Sequence, residues 1–191
     1  DEKLEWLIRE LRAIPHVEII RLGTRLPATL PFRVTEALVR MLERYHPIWL
    51  NTHFNHPKEL TPDAAEACDR LARAGIPLGN QSVLLRGVND DASTMKRLCE
   101  GLVRLRVRPY YCYQAQWLAG TAHFRTSVEE GIEIFRALRG RTSGFAIPQY
   151  VLDTPYGKVP LSYPYLRGRE GDDVIVESYD GRLWREHNPK A

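Results

Sequence analysis

The sequence predicts an α/β protein that contains part of a parallel (β/α) barrel. Short apolar segments alternate with amphipathic segments of helical periodicity up to about residue 144. Two apolar segments turn polar where they end, and after residue 145 the chain changes to short strands and loops. Such alternation is typical of a parallel sheet with right-handed crossovers. About four strand–helix units are present, whereas a complete barrel has eight. We therefore predict the second half of an open or partial barrel, with a small C-terminal β extension.

The first predicted elements run from Asp1 to Gly75. Apolar residues at helical spacing open the chain, and a later helix has Thr61 as its N-cap, Pro62 in its first turn and Gly75 at its end. The predicted strands are 17–22 and 47–53, and the predicted helices are 1–14, 35–45 and 61–75. In the last of these helices the residues expected to face the core are Ala65, Cys68 and Leu71.

The remaining elements continue the same order. Ser127 and Glu130 have the spacing of a capping box, and Asp180-Gly181 between two apolar segments predicts a β-hairpin. The predicted strands are 77–85 and 106–114, and the predicted helices are 93–105 and the segment from Ser127 to Gly140. We predict two domains, a partial barrel over 1–144 and an extension over 145–191.

Composition excludes several classes of protein. The 191 residues are 43% hydrophobic and 27% charged, and their formal net charge is +3, which is too small to indicate nucleic acid binding. No apolar run approaches the roughly 20 residues that span a membrane, and no signal peptide is visible. We therefore expect a cytoplasmic protein without nucleic acid or membrane partners. The three cysteines Cys68, Cys99 and Cys112 are far apart and are expected to be buried and unpaired.

The two strands that end in polar clusters are the strongest pointers to a site. The clusters are Asn51, Thr52, His53, Asn55 and His56 on one strand, and Asn80, Gln81 and Ser82 on the next. Parallel α/β enzymes build their sites at the carboxyl ends of such strands. His53 and His56 could form a metal pair, but no further ligands of suitable spacing accompany them. Ordinary loop hydrogen bonding is the main alternative.

Seven segments in one order identify a family. They are HVEIIRLGTRLPATLP, PIWLNTHFNHP, GIPLGNQSVLLRGVND, RVRPYYCYQ, AHFRTSVEEGIEI, GRTSGFAIP and LDTPYGKVP. Together they resemble the lysine 2,3-aminomutases, which combine radical S-adenosylmethionine (SAM) chemistry with pyridoxal phosphate. The resemblance implies a radical SAM partial barrel, related to the TIM barrel. It also implies that the chain is the C-terminal part of a longer protein, because the family's cysteine triplet for a 4Fe-4S cluster belongs upstream of Asp1.

The resemblance assigns roles to two residues after the last predicted barrel strand. Lys158 matches the lysine that binds pyridoxal phosphate, although its loop is shorter and has fewer glycines than is usual in the family. Asp153 matches an aspartate that helps to hold the distal ammonium group of the substrate. Without the resemblance, Lys158 would read as an exposed loop lysine and Asp153 as a turn-capping carboxylate.

Further residues complete the expected site. Gln116 stands where lysine-specific members carry a second aspartate, so the identity of the substrate is open; an exposed loop glutamine is the alternative. By the resemblance, His53 and Gln81 lie near SAM. Tyr111 and Tyr113 should share one face of a strand, with Tyr110 on the other. Tyr113 is our candidate for contact with the pyridine ring or the adenosyl group, and a role in the core is the alternative.

The family's activity implies an isomerase. A deoxyadenosyl radical takes a β-hydrogen from an amino acid held as an aldimine, and the amino group moves from the α- to the β-carbon. Lysine is the expected substrate, with arginine, glutamate or a lysine-based modification of a translation factor as alternatives. A further alternative is a silent fragment that lacks the half that binds the cluster. The small-molecule amino acid is the expected partner, together with further copies of the same chain in a homo-oligomer.

Overall fold

The computed structural model describes residues 1–189, in which six strands form one curled sheet and three form another. The larger sheet has the order β1-β2-β3-β4-β5-β6, with the first five strands parallel and β6 antiparallel at the edge. Its strands are β1 (Ile20–Gly23), β2 (Ile48–Thr52), β3 (Leu78–Leu84), β4 (Val107–Gln114), β5 (Gln149–Thr154) and β6 (Gly157–Pro160). The small sheet contains β7 (Leu166–Glu170), β8 (Asp173–Glu177) and β9 (Leu183–His187). The predicted partial barrel with a β extension is confirmed.

Helices connect the parallel strands and cover one face of the larger sheet. They are α1 (Glu2–Arg12), α2 (Leu26–Thr29), α3 (Glu36–Glu43), α4 (Pro62–Arg73), α5 (Ala92–Arg104) and α6 (Val128–Leu138). In β3 the buried residues alternate with partly exposed ones, so that Leu78 and Leu84 face the helices and Gln81 faces the other way. This burial pattern places the hydrophobic core between the sheet and the helices. On the opposite, inner face β3 presents Gln81 and Val83, whereas the polar Asn80 and Ser82 are buried on the side of the helices.

Side-chain caps explain where four helices begin. Thr35, Thr61, Asp91 and Ser127 each accept a hydrogen bond from a backbone N–H in the first turn of their helix. Each such cap contributes about 1 kcal/mol to stability. The predicted capping box is confirmed, because Glu130 also accepts a hydrogen bond from the backbone N–H of Ser127, at 2.6 Å.

Three local predictions are wrong. Ala64, not Ala65, is fully buried in α4, because the face at 64, 67, 68 and 71 meets the sheet. The first strand begins at Ile20 rather than at residue 17. Tyr110 does not point away from Tyr111, since a bulge opposite Asn80 and Gln81 inserts one residue into β4. The ring centroids of Tyr110 and Tyr111 consequently lie only 3.9 Å apart.

The boundary predicted at residue 144 has strands of the larger sheet on both sides. Because β5 and β6 both lie in that sheet, Lys158 is part of the half-barrel sheet rather than of the small one. The hairpin predicted at Asp180-Gly181 is confirmed as the β8–β9 turn, with Gly181 at φ +84°.

Burial also settles the environment of the three thiols. Cys68, Cys99 and Cys112 are free and buried, as expected. Burial raises the pKa of the Cys68 thiol and of the Cys112 thiol to about 12, so both stay protonated and inert near neutral pH. Among residues 1–189, no helix combines the length and the apolar character that a membrane span requires.

Candidate functional site

A cavity of about 400 Å³ opens on the inner face, at the carboxyl ends of β3, β4 and β5. It collects three of the residues singled out from the sequence around a fourth, Asp153, that closes β5. Its lining consists of Gln81, Val83, Leu85, Tyr113, Gln114, Ala115, Gln116, Leu118, Thr121, Phe124 and Asp153. Asp153 is the only ionisable carboxylate among these residues, so the cavity is mainly apolar with a single acidic point.

Lys158 lies next to Asp153, a residue of the cavity lining, because β5 and β6 form a tight hairpin. Asp153 and Lys158 are directly paired across the two strands, and paired residues of an antiparallel ladder share one face. In the turn, Thr154 Oγ1 donates a hydrogen bond of 2.7 Å to the carbonyl of Gly157, whose φ is +120°. Lys158 is therefore a strand residue of the inner face, not a loop lysine.

The Lys158 amine is exposed but directed over an aromatic ring. Its Nζ lies 5.8 Å from the centroid of the Tyr113 ring. Within residues 1–189, no carboxylate forms an ion pair with this amine. An unpaired lysine amine beside a ring and an open cavity suits covalent capture of an aldehyde cofactor. Lys158 is thus the residue that could hold pyridoxal phosphate covalently.

Gln116 and Asp153 form a hydrogen-bonded pair in the same cavity. Gln116 Nε2 donates to Asp153 Oδ2 at 2.9 Å. No other side chain or backbone group in the described part of the chain bonds to Gln116 Oε1 or Asp153 Oδ1. The pair therefore presents one amide oxygen and one carboxylate oxygen as free acceptors. Burial, and next the Asp153 charge, raise the pKa of the Tyr113 hydroxyl, so that it stays a neutral donor.

The segment 115–126 forms the outer wall of the cavity. It contributes Ala115, Gln116, Leu118, Thr121 and Phe124. The Arg125 guanidinium carbon lies 4.5 Å from the centroid of the Trp117 ring, which closes the segment on itself. Only Gln116 of this wall could be identified from the sequence, because an irregular segment has no periodicity that marks its inward-facing residues.

His53 does not line this cavity. It follows β2, and its pKa is lowered first by burial and then by the Arg25 charge, whereas Asn55 and Glu59 act in the opposite direction. The imidazole is thus neutral near pH 7. Two amides hold the backbone around it: Asn80 bonds to both backbone groups of Phe54, at 2.7 and 3.0 Å, and Asn89 donates to the Asn55 carbonyl at 2.8 Å.

Metal ligands are not gathered in the described part of the chain. His56 Nδ1 accepts a hydrogen bond from the backbone N–H of Lys58 at 3.1 Å, and so caps a short helical turn. Among residues 1–189, no group of three or more His, Cys, Asp or Glu side chains could hold a metal ion.

Solved structures with the same fold define the class. A radical SAM methyltransferase from Sphaerobacter thermophilus is 18% identical with a TM-score of 0.52, over 70% of this chain and 40% of that one. A domain of pyruvate-formate lyase-activating enzyme from Bacteroides vulgatus gives the same identity and TM-score, over 80% of this chain and 92% of that one. The fold is thus the partial barrel of radical SAM enzymes.

Sequence relatives narrow the class to one family. A family model described as Lysine-2,3-aminomutase matches residues 135–191. An L-lysine 2,3-aminomutase from Fusobacterium nucleatum is 56% identical over all of this chain and 45% of its own length. A glutamate 2,3-aminomutase from Clostridioides difficile is 48% identical, over 100% of this chain and 46% of its own length. The chain belongs to the lysine 2,3-aminomutase family, and it spans a little under half the length of these relatives.

Proposed function

We propose that this chain carries the cofactor lysine and the substrate clamp of an amino acid 2,3-aminomutase, an isomerase that acts on lysine. The observation that carries the proposal is the hydrogen bond of 2.9 Å between Gln116 and Asp153. Asp153 is in turn paired across the β5–β6 hairpin with Lys158, whose amine is free. A substrate clamp and a cofactor lysine on one cavity wall are what such a reaction requires.

Lys158 is the residue that would hold pyridoxal phosphate. Its amine is unpaired, faces the Tyr113 ring and lies on the rigid edge of a hydrogen-bonded sheet. When bound, pyridoxal phosphate supplies a conjugated ring over which an unpaired electron can be delocalised. Tyr113 would limit the position of that ring from one side, and the apolar wall of Val83, Leu85, Leu118 and Phe124 would exclude water from reactive species.

Gln81 and His53 would contact SAM. Gln81 lies on the inner face of β3 and lines the cavity, whereas His53 stands at the end of the neighbouring strand β2. When bound to a 4Fe-4S cluster, SAM supplies the radical that removes a hydrogen atom from the substrate. The ligands of that cluster must come from outside the residues described here.

Asp153 and Gln116 would select the distal group of the substrate. Their two free acceptor oxygens suit the N–H donors of an ammonium group, and a charge-assisted hydrogen bond contributes about 1.5–3 kcal/mol. A distal carboxylate would instead face the negative Asp153. The geometry thus favours lysine over glutamate, while arginine, with its planar fork of donors, remains the closest competitor.

The test is a substrate panel with the full-length protein loaded with both cofactors and the cluster. We expect turnover of lysine to exceed that of glutamate. Gln116→Asp should raise kcat/KM for lysine by about tenfold, the effect of roughly 1.4 kcal/mol, because a second carboxylate adds a charge-assisted hydrogen bond to the distal ammonium group. An unchanged kcat/KM for lysine in Gln116→Asp would refute the assignment of Gln116, and glutamate as the best substrate would refute the clamp.

One observation favours a second candidate, a chain that only binds pyridoxal phosphate. The described residues contain no group of ligands for a metal, so the isolated chain would be silent in radical chemistry. Iron analysis of the purified 191-residue chain after anaerobic reconstitution shows whether the isolated chain binds a cluster or is silent in radical chemistry. A stoichiometric cluster would exclude the silent chain.

We also propose a cytoplasmic location and a homo-oligomer. Three buried free thiols suit a reducing compartment. Among the described strands, β1 pairs with β2 alone, and an open strand edge invites pairing with another chain segment.

A further inference from the structure

The base of the cavity wall is fastened by one buried glutamine. Gln114 ends β4 immediately before the segment 115–126 and is only 1% exposed. Its Nε2 donates to the carbonyl of Thr126 at 2.8 Å, and its Oε1 accepts from Thr126 Oγ1 at 3.4 Å. One side chain thus ties the last residue of β4 to the residue that closes the segment.

A third partner fixes the glutamine itself. Tyr150 in β5 donates its hydroxyl to Gln114 Oε1 and is 2% exposed. Its ring stacks on Phe135 with centroids 5.2 Å apart. In α6, a Cβ on Gly131 would meet the Tyr150 hydroxyl at 2.3 Å, so the helix leaves this ring no room to move. The fastening therefore rests on the core of the molecule.

The rest of the segment has fewer contacts with the sheet. The backbone N–H of Arg86 donates to the Phe124 carbonyl at 2.8 Å, Gln116 donates to Asp153 at 2.9 Å, and Arg125 stacks on Trp117. Trp117 itself is 76% exposed and Leu118 is 58% exposed. The position of Gln116, two residues after Gln114, therefore depends mainly on the fastened base.

We propose that Gln114 is a positioning residue for substrate selection, acting through Gln116. This inference rests on the proposed function, in which Gln116 contacts the distal group of the substrate. The Gln114–Thr126 hydrogen bonds join the two ends of the segment 115–126 and so fix the ends of this loop. With its ends fixed, the loop keeps Gln116 within hydrogen-bonding distance of Asp153. Without them the loop opens locally, and the paired acceptors separate.

Two matched variants separate the fastening from the packing. Gln114→Met keeps the length of the side chain but removes both bonds to Thr126 and the bond from Tyr150. Tyr150→Phe removes only the bond from the core and leaves Gln114 bonded to Thr126. The difference between the two variants therefore isolates the bonds to Thr126, and Gln114→Met has the larger cost in overall stability. Only Gln114→Met should release the loop.

The first measurement is hydrogen exchange of the peptide 115–126, read by mass spectrometry without any cofactor. We expect exchange in Gln114→Met to be about tenfold faster than in the unmodified protein, the effect of losing roughly 1.4 kcal/mol of local stability. Peptides of α4, and the same peptide in Tyr150→Phe, should change little. Equal exchange in Gln114→Met and the unmodified protein would overturn the inference whether or not the protein is an aminomutase.

The second measurement is the lysine-to-arginine ratio of kcat/KM in the full-length holoenzyme. Gln114→Met should shift this ratio to the value found for Gln116→Ala, and the change in KM should be larger than the change in kcat. Tyr150→Phe should leave the ratio unchanged. An open loop with an unaltered ratio would show that the fastening is only structural and would overturn the inference. If Gln116→Ala also leaves the ratio unaltered, the assignment of Gln116 fails, and the positioning role fails with it.

Discussion

At the scale of single residues, the site depends on the position that the pairing of β5 with β6 gives to the amine of Lys158. The β5–β6 turn is short, and its geometry aligns Lys158 with Asp153 across the hairpin. The shorter loop, which made the role of Lys158 uncertain in the sequence, is therefore compatible with a lysine on the inner face. A lysine in a wide flexible loop would lose more side-chain and backbone entropy when it became fixed.

The amine of Lys158 should carry the aldehyde cofactor. After borohydride reduction of the protein loaded with pyridoxal phosphate, we expect mass spectrometry to find the label on Lys158. The visible absorption of the covalently bound cofactor should be lost in Lys158→Ala. Lys58, an exposed lysine in the short helical turn after β2 that does not line the cavity, provides the control, and Lys58→Ala should bind the cofactor normally. A label found mainly on another lysine would remove the basis of the assignment.

Five candidate residues were identified from the sequence by resemblance to the family. The structure places Gln81, Tyr113, Gln116 and Asp153 around one cavity, with Lys158 paired to Asp153; their roles stay predictions. Gln114 could not be identified from the sequence, because its side chain bonds to residues that lie 12 and 36 positions away along the chain. Strict alternation also failed at Tyr110, since nothing in the sequence marks the bulge.

At the scale of elements, two helices were predicted from their ends, one from Thr61 and the other from Ser127 with Glu130. Threonine, aspartate and serine caps are local signals, because the capping side chain bonds to a backbone N–H about three residues further on. The face that a helix buries is less local. In α4, Ala64 rather than Ala65 is fully buried, because the sheet determines how the helix rotates about its axis.

Two glycines in helix interiors should respond oppositely to alanine. In an open helix this change stabilises by about 1 kcal/mol. A Cβ at Gly101 in α5 would meet only the flexible end of Leu60, so Gly101→Ala should be neutral or stabilising. A Cβ at Gly131 in α6 would lie 2.3 Å from the buried ring of Tyr150, so Gly131→Ala should destabilise by about 1–3 kcal/mol.

Urea unfolding of both variants checks this contrast. The midpoint should fall for Gly131→Ala and hold or rise for Gly101→Ala, with the dependence on urea concentration unchanged. The same direction and size of shift in both variants would show that helix propensity, and not the space around Tyr150, governs the two positions.

At the scale of the whole molecule, a charged cluster attaches the small sheet to the half-barrel. Glu177 of β8 accepts from Arg136 of α6 at 3.0 Å, and its side chain is only 10% exposed. Arg167 of β7 and the Tyr163 hydroxyl complete the cluster. The Arg136 guanidinium also lies 3.9 Å from the centroid of the Tyr163 ring. Because the chain from β6 to β7 runs through Tyr163, this cluster fixes the segment that follows Lys158.

The attachment should depend on pH. The hydrogen bond from Arg167, followed by the nearby guanidinium charges, lowers the pKa of Glu177 below its usual 4.5. A lowered pKa in the folded state means that the stabilisation is complete above the unfolded value and is lost as the pH falls through the folded value. Hydrogen exchange in 166–187 should therefore accelerate below about pH 4.5, after correction for the intrinsic rate, while exchange in α4 changes less.

Glu177→Gln isolates the charge from the shape of that side chain. In this variant, hydrogen exchange over 166–187 should already be fast at pH 7, and the acceleration in acid that position 177 causes should be absent. A smaller acid response should remain, because Glu133 also forms an ion pair with Arg136. Glu186→Gln is the matched control, since Glu186 bonds to Trp184 within its own strand and contacts no helix of the half-barrel through that bond. Slow exchange in Glu177→Gln at neutral pH would mean that apolar packing alone holds the small sheet, and the cluster would then have no part in fixing the segment behind Lys158.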